Sequence, residues 1–342
     1  MKIINIPIEP IEERYSLQWD KWFKDQFNKA GLDFSTVYGE KTRGKILHGS
    51  FLDVLETNLY KTSQLRRIIR ILMDYKDDYP LVLFFHDLWN PGLTNIAYIR
   101  DGMGWKNLFI VGCLHAGAYD ENDFLYLSQM NPWAQLMECA WFEKIVDKIF
   151  VATNYHKELV QSKRWLSPEK VCVTGFPMYP DFLNHYKITR KDIIVFPHRL
   201  YKEKRPDLFD RLKIVEGELF LNWEFYRTKD VTKTKSEYYD LLGRSKVAVS
   251  FAEQETWGIA MQEATLLGCI PIVPRRLSYP ELYNDVFIYT DFKEAKSLIR
   301  RFMNDPPLRS LEEQQSKILR RGREAIPNMI KLIKILTHEQ SI

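Results

Sequence analysis

Cysteine and long apolar runs are both scarce in this sequence. The 342 residues contain four widely spaced cysteines and no C-x-x-C pair, so neither a disulfide framework nor a cysteine metal site is expected. The longest apolar run, residues 108–118, is interrupted by Gly112 and His115 and is much shorter than the roughly 20 residues of a membrane-spanning helix. The opening residues turn acidic soon after Pro7, unlike a secretory signal peptide. We therefore expect a cytoplasmic protein with reduced thiols and no membrane span.

A large excess of charge of one sign is also absent. Lys and Arg number 49 and Asp and Glu 45, and a net charge of +4 is too small to establish a nucleic-acid or membrane partner. No cluster of metal-ligand residues is visible, so we expect no metal. The composition, 45% hydrophobic and 27% charged, is typical of a globular chain long enough for about two domains.

Short apolar runs alternate with amphipathic runs along the whole chain. The first half contains predicted strands at Lys2–Ile6, Leu81–Phe85, Leu108–Cys113, residues 148–152 and residues 171–174. A second series of predicted strands lies at residues 192–196, 246–251, 270–273 and 286–289. Continuous apolar runs separated by helical patterns are typical of parallel sheets. We predict an α/β protein with two doubly wound, Rossmann-like domains that face a central cleft.

The domain boundaries follow from a polar stretch at residues 177–191, which is the best candidate for a linker. We predict domains at residues 1–178 and 179–325, and a C-terminal helix at 326–342 that packs back toward the first domain. Ser310 and Glu313 resemble a capping box that opens a C-terminal helix. Pro327 should kink or restart that helix.

Residues 250–274 form the most informative segment, with a predicted strand, a polar loop, a helix from about Trp257 and another strand. A helix N-terminus presents free backbone N–H groups and a partial positive charge, and Gly258 would let a diphosphate approach closely. Glu255 lies in the loop and Glu263 about two turns into the helix. Their carboxylates suit sugar hydroxyls, which donate hydrogen bonds.

Two cations follow another predicted strand. Arg199 and Lys204 come directly after the strand at residues 192–196. Fixed cations at the carboxyl end of a strand would neutralise a diphosphate leaving group.

Four sequence elements, in this order, resemble GT-B glycosyltransferases, and more narrowly the large retaining group whose two glutamates are separated by seven residues. They are R-L-x-x-x-K at residues 199–204, E-x-W-G-x-x-x-x-E-A at 255–264, G-x-x-P at 268–271 and P-E at 280–281. The resemblance implies a GT-B fold, retention of the anomeric configuration and a UDP- or GDP-linked sugar donor, without a metal. The first domain would then hold the acceptor and the second the donor.

The resemblance also implies roles for the donor-side residues. Arg199 and Lys204 would hold the diphosphate, Glu255 would bind the sugar, and Glu263 would bind the ribose. The remaining donor-binding positions, whose backbone would face the phosphates, are Thr256, Trp257 and Gly258.

The N-terminal half offers weaker candidates. His115 follows a predicted strand, where the family often has a histidine near the sugar, and it could hydrogen-bond the donor sugar or stabilise charge in the transition state. The alternative is a structural histidine at a strand end. His86 and Asp87 end another predicted strand and are acceptor-side candidates, with a structural role equally open.

The first predicted strand is not followed by the glycine-rich loop that many family members have. Residues 6–15 contain no glycine, and Glu9, Arg14 and Tyr15 occupy that place. We predict Glu9 and Arg14 on the acceptor side. This opening resembles the openings of bacteriophage glycosyltransferases, and for a viral chain the expected location is the host cytoplasm.

A local group of cations in the first half suggests one kind of acceptor. Its members are Lys41, Arg43, Lys45, Arg66, Arg67 and Arg70. Such a patch could follow a phosphate backbone, and DNA carrying a hydroxymethylated pyrimidine is one acceptor hypothesis, in which the base is flipped out of the duplex. The alternative is a solvated basic face.

The function predicted from the sequence is a retaining glycosyltransferase that moves a sugar from a nucleotide-diphosphate sugar to an acceptor hydroxyl. The acceptor is a DNA base or a surface glycan. A nucleotide-sugar epimerase of the same fold and a non-catalytic sugar-nucleotide-binding module are the other hypotheses.

Overall fold

The computed structural model describes residues 1–12, 14–42, 53–181, 189–217 and 222–339. The chain divides into two compact units. Unit 1 comprises Met1–Pro177 and Glu324–Ile342, and unit 2 comprises Met178–Arg323. Each unit is built on one parallel sheet flanked by helices, which confirms the predicted α/β class.

The sheet of unit 1 has six parallel strands. They are β1 (Lys2–Ile6), β2 (Asp33–Thr36), β3 (Leu81–Phe85), β4 (Leu108–Cys113), β5 (Lys148–Val151) and β6 (Val171–Val173). Their order across the sheet is β2-β1-β3-β4-β5-β6. Every residue of β3 and β4 is buried, because both strands are central and are covered on both faces.

The helices of unit 1 before the C-terminal one are α1 (Tyr15–Lys29), α2 (Val54–Met73), α3 (Gly92–Met103), α4 (Phe124–Leu127), α5 (Asn131–Glu138) and α6 (Asn154–Lys163). A π-helical segment, Cys139–Ile145, follows α5 directly. Helix α2 shows how the amphipathic pattern of a helix determines which of its faces is buried. Its apolar positions Ile68 and Leu72 pack into the core, and its arginines lie on the exposed face.

The sheet of unit 2 has five parallel strands. They are β7 (Lys191–Phe196), β8 (Glu224–Arg227), β9 (Ser245–Val249), β10 (Ile270–Pro274) and β11 (Ile288–Tyr289), in the order β11-β10-β9-β7-β8. Its helices are α7 (Pro206–Gly217), α8 (Thr228–Val231), α9 (Lys235–Arg244), α10 (Ile259–Leu266), α11 (Tyr279–Leu282) and α12 (Phe292–Asn304). The last helix, α13 (Leu308–Glu339), begins in unit 2, and its residues from Glu324 on belong to unit 1. Strands β7 and β9 are neighbours, so their carboxyl ends meet at one edge of the sheet.

Helix α13 begins before the predicted capping residue Ser310, and it does not restart at Pro327. It begins at Leu308, so Ser310 lies inside its first turn, and it continues through Pro327. Proline cannot donate to the carbonyl four residues earlier, that of Arg323. The Tyr179 hydroxyl donates a 3.4 Å hydrogen bond to this carbonyl instead, which helps the helix to continue. Within the described residues, no helix combines the length and apolarity needed to cross a membrane.

Candidate active site

The predicted donor-side residues of unit 2 gather where β7 and β9 end. The loop after β7 carries His198, Arg199 and Lys204, and the loop after β9 carries Ser250 and Glu255. The His198 Nε2 lies 2.8 Å from the Ser250 Oγ, which joins the two loops. The structure therefore brings together residues that are about 50 positions apart in the sequence, as the carboxyl-end argument predicts.

Lys204 is the buried cation of this site. It ends the 3₁₀ turn Lys202–Lys204 and is 5% exposed. Its ammonium donates to the backbone carbonyl of Gln254 and, at 3.2 Å, to the Oε1 of the same residue. Its Nζ also lies 3.3 Å from the Glu255 Oε2. Burial lowers the pKa of Lys204, and the nearby Glu255 carboxylate opposes this effect. The amine contacts three oxygen atoms, two of Gln254 and one of Glu255.

The Glu255 carboxylate accepts hydrogen bonds from the backbone N–H groups ahead of helix α10. Its Oε1 lies 3.2 Å from the Thr256 nitrogen, 3.4 Å from the Trp257 nitrogen and 2.9 Å from the Gly258 nitrogen. Gly258 is the N-cap with φ of 70°, a left-handed conformation that glycine adopts without strain. The helix thus begins at Ile259, two residues later than predicted. This nest of N–H groups binds an anionic oxygen, which is the chemistry a phosphate needs.

Arg199 is held by a residue that the sequence analysis did not identify. Its Nε and Nη2 lie 2.8 and 2.7 Å from the Oε1 of Glu203, whose side chain is 2% exposed. The guanidinium itself remains about one quarter exposed. Glu203 therefore restrains the guanidinium of Arg199. The i,i+4 spacing of the two residues is the sequence signal that could have indicated this ion pair.

Glu263 lies in the second turn of α10, and its carboxylate accepts hydrogen bonds within unit 2 that were not predicted. Its Oε1 accepts hydrogen bonds from Lys235 at 2.7 Å and Tyr239 at 2.9 Å, and its Oε2 accepts one from Tyr238 at 3.1 Å. All three partners lie on α9. A carboxylate with about four acceptor positions can bind these donors and still accept from one ribose hydroxyl. In the part of the chain that the structure describes, no three His, Cys, Asp or Glu residues are grouped to hold a metal ion.

The ionisation of Glu255 gives a prediction for acid stability. Burial favours the neutral acid, but Lys204, His198 and the Gly258 N–H outweigh it and lower the pKa from 4.5 to about 2. A depressed folded-state pKa means that this carboxylate stabilises the fold above about pH 4.5 and that the contribution is lost as the pH falls toward 2. The Tm of wild type and of Glu255→Gln is measured across this pH range. The amount by which the wild-type Tm exceeds that of the variant should shrink on acidification. A difference in Tm that stays constant with pH would contradict it.

His115 in unit 1 has a defined tautomer. Its Nε2 lies 2.8 Å from the His86 carbonyl oxygen, which only accepts, so Nε2 carries the hydrogen and Nδ1 is the acceptor. The Tyr15 hydroxyl lies 3.3 Å from that Nδ1. Burial lowers the pKa of His115, which favours the neutral ring. This geometry suits a hydrogen bond to a hydroxyl better than stabilisation of a negative charge.

His86 does not reach a surface, which corrects the expectation that it faces the acceptor. Its side chain has no exposed area, its Nε2 lies 2.7 Å from the Asn5 Oδ1, and its ring packs 4.2 Å from that of Phe23. Burial lowers its pKa to about 3. Its backbone carbonyl orients His115, so His86 is a positioning residue.

The other three acceptor-side candidates do come together. Glu9, Arg14 and Asp87 line one pocket of unit 1. Lys61 lies in the same pocket and was not predicted, because its position on α2 is far from both loops in sequence.

Another unpredicted group, Glu138, holds the loop after His115. The Glu138 Oε1 accepts from the Ala118 backbone N–H at 2.5 Å and from the Trp89 Nε1 at 3.1 Å. Its Oε2 lies 2.6 Å from the Arg164 Nη2, and both side chains of this ion pair are buried. The loop that carries His115 is thus anchored by a buried carboxylate.

Glu138→Ala should lower the free energy of unfolding by about 3–5 kcal/mol, because it leaves the Arg164 charge buried without its partner. Urea unfolding measures this, and Glu158→Ala, at an exposed position on α6, is the control. Equal stability of the two variants would show that the network carries little energy.

The basic patch is partly used within the fold. Arg66 pairs with Glu40 at 3.3 Å, and Arg67 donates to the carbonyl oxygens of Tyr38 and Gly39. Lys41 and Arg70 are exposed. Arg43 and Lys45 lie outside the described residues.

A sequence match to a known protein covers a short part of the chain. No family model matches the chain. A tRNA-queuosine alpha-mannosyltransferase of Drosophila melanogaster is 33% identical over 72 residues, which are 21% of this chain and 19% of that protein. The match thus spans about a fifth of the relative's length.

Solved structures match over the full length. Sucrose-phosphate synthase from Thermosynechococcus elongatus is 12% identical, with a TM-score of 0.70, over 99% of this chain and 100% of its own. HepE from Anabaena, solved in complex with UDP and glucose, is 11% identical, with a TM-score of 0.60, over 100% of this chain and 99% of its own. The chain therefore has the GT-B-like fold that is found in glycosyltransferases.

Proposed function

We propose that this chain is a glycosyltransferase that moves a sugar from a nucleotide-diphosphate sugar to an acceptor hydroxyl. One observation carries the proposal: Arg199, Lys204 and Glu255 converge on the N–H groups ahead of α10. Two cations beside a nest of backbone donors form a site for a diphosphate. The similarity to a mannosyltransferase favours transfer over epimerisation.

The donor is bound through three kinds of contact in this proposal. Arg199 and Lys204 neutralise the diphosphate. The backbone N–H groups of residues 256–258, which donate to the Glu255 carboxylate in this structure, donate to the diphosphate oxygens once that carboxylate turns to the sugar. Glu255 accepts from sugar hydroxyls, and Glu263 accepts from the ribose. A UDP-linked sugar is the first candidate donor, since HepE was solved with UDP and glucose.

We further propose that the transfer retains the anomeric configuration. An inverting transfer would need a side-chain base on the acceptor side, for which Asp87 and Asp120 in loops of unit 1 are the candidates. Each instead accepts a backbone N–H two residues ahead, at 3.0 and 2.9 Å, as loop-capping residues do. In the front-face reaction the acceptor oxygen bonds to the anomeric carbon, the bond from that carbon to the phosphate oxygen breaks, and the acceptor proton moves to the departing diphosphate. Arg199 and Lys204 stabilise the charge that develops there.

DNA is one candidate acceptor. It is supported by the exposed cations of the basic patch, Lys41, Arg66, Arg67 and Arg70. Arg66 and Arg67 also contact groups within unit 1, so their charge is not wholly available to a phosphate backbone. Duplex binding that weakens steeply with salt and is reduced in Arg70→Glu would favour DNA.

A nucleotide-release assay tests the proposed function. UDP- and GDP-linked sugars are incubated with the protein in the presence and absence of candidate acceptors. Free nucleotide that forms only with acceptor supports transfer. An isomerised nucleotide sugar formed without acceptor would identify an epimerase, and binding without any reaction a non-catalytic module.

We expect this release to continue when EDTA is present. Arg199 and Lys204 supply the positive charge that a metal ion provides in other transferases. The rate is compared before and after chelation. A rate abolished by EDTA and restored by Mg²⁺ or Mn²⁺ would contradict metal independence.

A further inference from the structure

His198 is a buried residue of unit 2 that the proposed mechanism does not use. It lies two residues after the end of β7 and is 3% exposed. Lys204, Glu255 and Arg199 are close enough for their charges to act on its pKa, so its ring borders the proposed diphosphate site. The Nε2 lies 2.8 Å from the Ser250 hydroxyl oxygen, and among the described residues Nδ1 has no hydrogen-bond partner. The ring therefore has one nitrogen that a ligand can contact.

The neighbours of Ser250 determine which nitrogen of His198 carries the hydrogen. The Ser250 hydroxyl oxygen lies 2.7 Å from the Tyr279 hydroxyl and accepts a hydrogen bond from the Ala252 backbone N–H at 3.3 Å. Ser250 and Tyr279 have no exposed area, and Ser250 is the only hydrogen-bond partner of the Tyr279 hydroxyl in the described part of the chain. Since a buried O–H without an acceptor costs free energy, Tyr279 donates to Ser250.

The hydrogen of the Ser250 hydroxyl is then donated to His198. A serine hydroxyl donates once and accepts twice, and its two acceptor positions are filled by Tyr279 and Ala252. Because Nε2 accepts the serine hydrogen, the neutral imidazole carries its own hydrogen on Nδ1. Burial, reinforced by the charge of Lys204, lowers the pKa of His198 to about 3, so the ring is neutral at physiological pH. His198 thus presents a neutral N–H donor at Nδ1.

The protein does not supply an acceptor for this N–H within the described residues. The Glu255 carboxylate is a charged acceptor near the ring, but both of its oxygens are already hydrogen-bonded. Its Oε1 accepts from the N–H groups ahead of α10, and its Oε2 accepts from Lys204. A largely buried donor beside cations and further N–H groups suits an anionic oxygen. The diphosphate of a nucleotide sugar has such oxygens.

We propose that the Nδ1–H of His198 donates a hydrogen bond to an oxygen of the donor diphosphate, and that Ser250 and Tyr279 are positioning residues that hold the ring in this tautomer. The inference rests on the proposed function, since it takes the nucleotide-diphosphate sugar as the ligand. Tyr279 also lies next to the N-cap of α10, because a Cβ at Gly258 would lie 3.6 Å from its Cε1. It begins α11 directly before the P-E element at residues 280–281, so it links that element to the donor site.

Two amide substitutions separate the roles of the two ring nitrogens. In His198→Gln the amide oxygen can still accept from Ser250, but no donor remains at the position of Nδ1. His198→Asn brings an amide nitrogen near that position and loses the contact with Ser250. His338→Gln, at an exposed histidine of α13, is the control.

Calorimetric titration with UDP and GDP measures diphosphate binding without turnover. For the nucleotide that wild type binds more tightly, His198→Gln should raise Kd about tenfold or more, the usual loss for a hydrogen bond to a charged group. His198→Asn should raise Kd by less than about threefold because it keeps a donor, and His338→Gln should match wild type. An unchanged Kd in His198→Gln, or no binding of either nucleotide to wild type, would overturn the inference.

The tautomer of His198 is a readout that a purely structural role would not predict. Spectra that correlate ¹H and ¹⁵N in histidine-labelled protein should show the His198 hydrogen on Nδ1 and no titration between about pH 5 and 8. Added UDP or GDP should shift that signal. Tyr279→Phe should lower the share of this tautomer, because Ser250 no longer receives the tyrosine hydrogen. A hydrogen on Nε2 in wild type would contradict the proposal.

The results separate this contact from the transferase function. If no sugar is transferred in any assay but the Kd pattern of the His198 variants holds, the transferase function fails and the diphosphate contact stands. If wild type transfers sugar and His198→Gln has wild-type kcat, KM and Kd, the contact fails and the transferase function stands. A raised KM for the nucleotide sugar with an unchanged Kd for the nucleotide would place the contact on the sugar and refute the proposal.

Discussion

Lys204→Ala should lower kcat/KM for the sugar donor by about 10²–10³, the usual cost of removing one charge-stabilising group in an active site. The ammonium is the only cation within 4 Å of Glu255 among the described residues. Its loss removes one positive charge from the diphosphate site and leaves Glu255 without its ion-pair partner. Arg199→Ala should likewise remove most of the rate, because its guanidinium is the second positive charge near Glu255.

Lys202→Ala is the matched control for these two variants. Lys202 lies two residues before Lys204 in the same turn but is exposed. Its substitution should leave the rate within about twofold, as is usual for surface positions. Steady-state kinetics with circular dichroism as a folding check measure the difference. Wild-type kinetics in Lys204→Ala or Arg199→Ala would remove the main support for the donor site.

Glu263→Ala should reduce both donor use and stability. Losing one charge-assisted hydrogen bond to the ribose should cost about 1.5–3 kcal/mol in donor binding. The structure adds a second effect, because Lys235, Tyr238 and Tyr239 all donate to this carboxylate. Removing it leaves a largely buried ammonium without its partner, which should lower the free energy of unfolding by about 3–5 kcal/mol.

Glu263→Gln separates the two effects of this substitution. The amide keeps the size of the side chain and one accepting oxygen, so part of the stability should return while donor use stays reduced. Glu312→Ala, an exposed position on α13, is the control for a glutamate lost from unit 2. Unchanged unfolding of Glu263→Ala would show that the cluster on α9 is not energetically coupled to Glu263.

The central strands could be predicted from sequence, and two of the edge strands, β2 and β8, could not. Strands β3 and β4 are apolar throughout, because helices cover both faces, and their bounds match the prediction. Strands β2 and β8 have four residues each and lie at sheet edges, where side chains are mostly half-buried or exposed. Their sequences, DFST and EFYR, therefore lack a continuous apolar run.

The site shows a similar division between local and long-range information. Arg199, Lys204 and Glu255 were found because they lie in loops directly after apolar strands. Lys235 could not be found in this way, since it meets Glu263 from a different helix, 28 residues away. The burial of His86 was likewise hidden, because it depends on the packing of α1 against β3.

NMR of the reaction products tests the central claim most directly. A UDP-linked α-sugar, the protein and a candidate acceptor are followed by ¹H NMR through the anomeric signals. For a retaining transferase we expect the donor signal to be replaced by that of an α-linked product as UDP is released. A β-linked product would contradict the retaining mechanism and require a side-chain base. Isomerised donor, or no reaction with any UDP- or GDP-linked sugar, would contradict the transferase function itself.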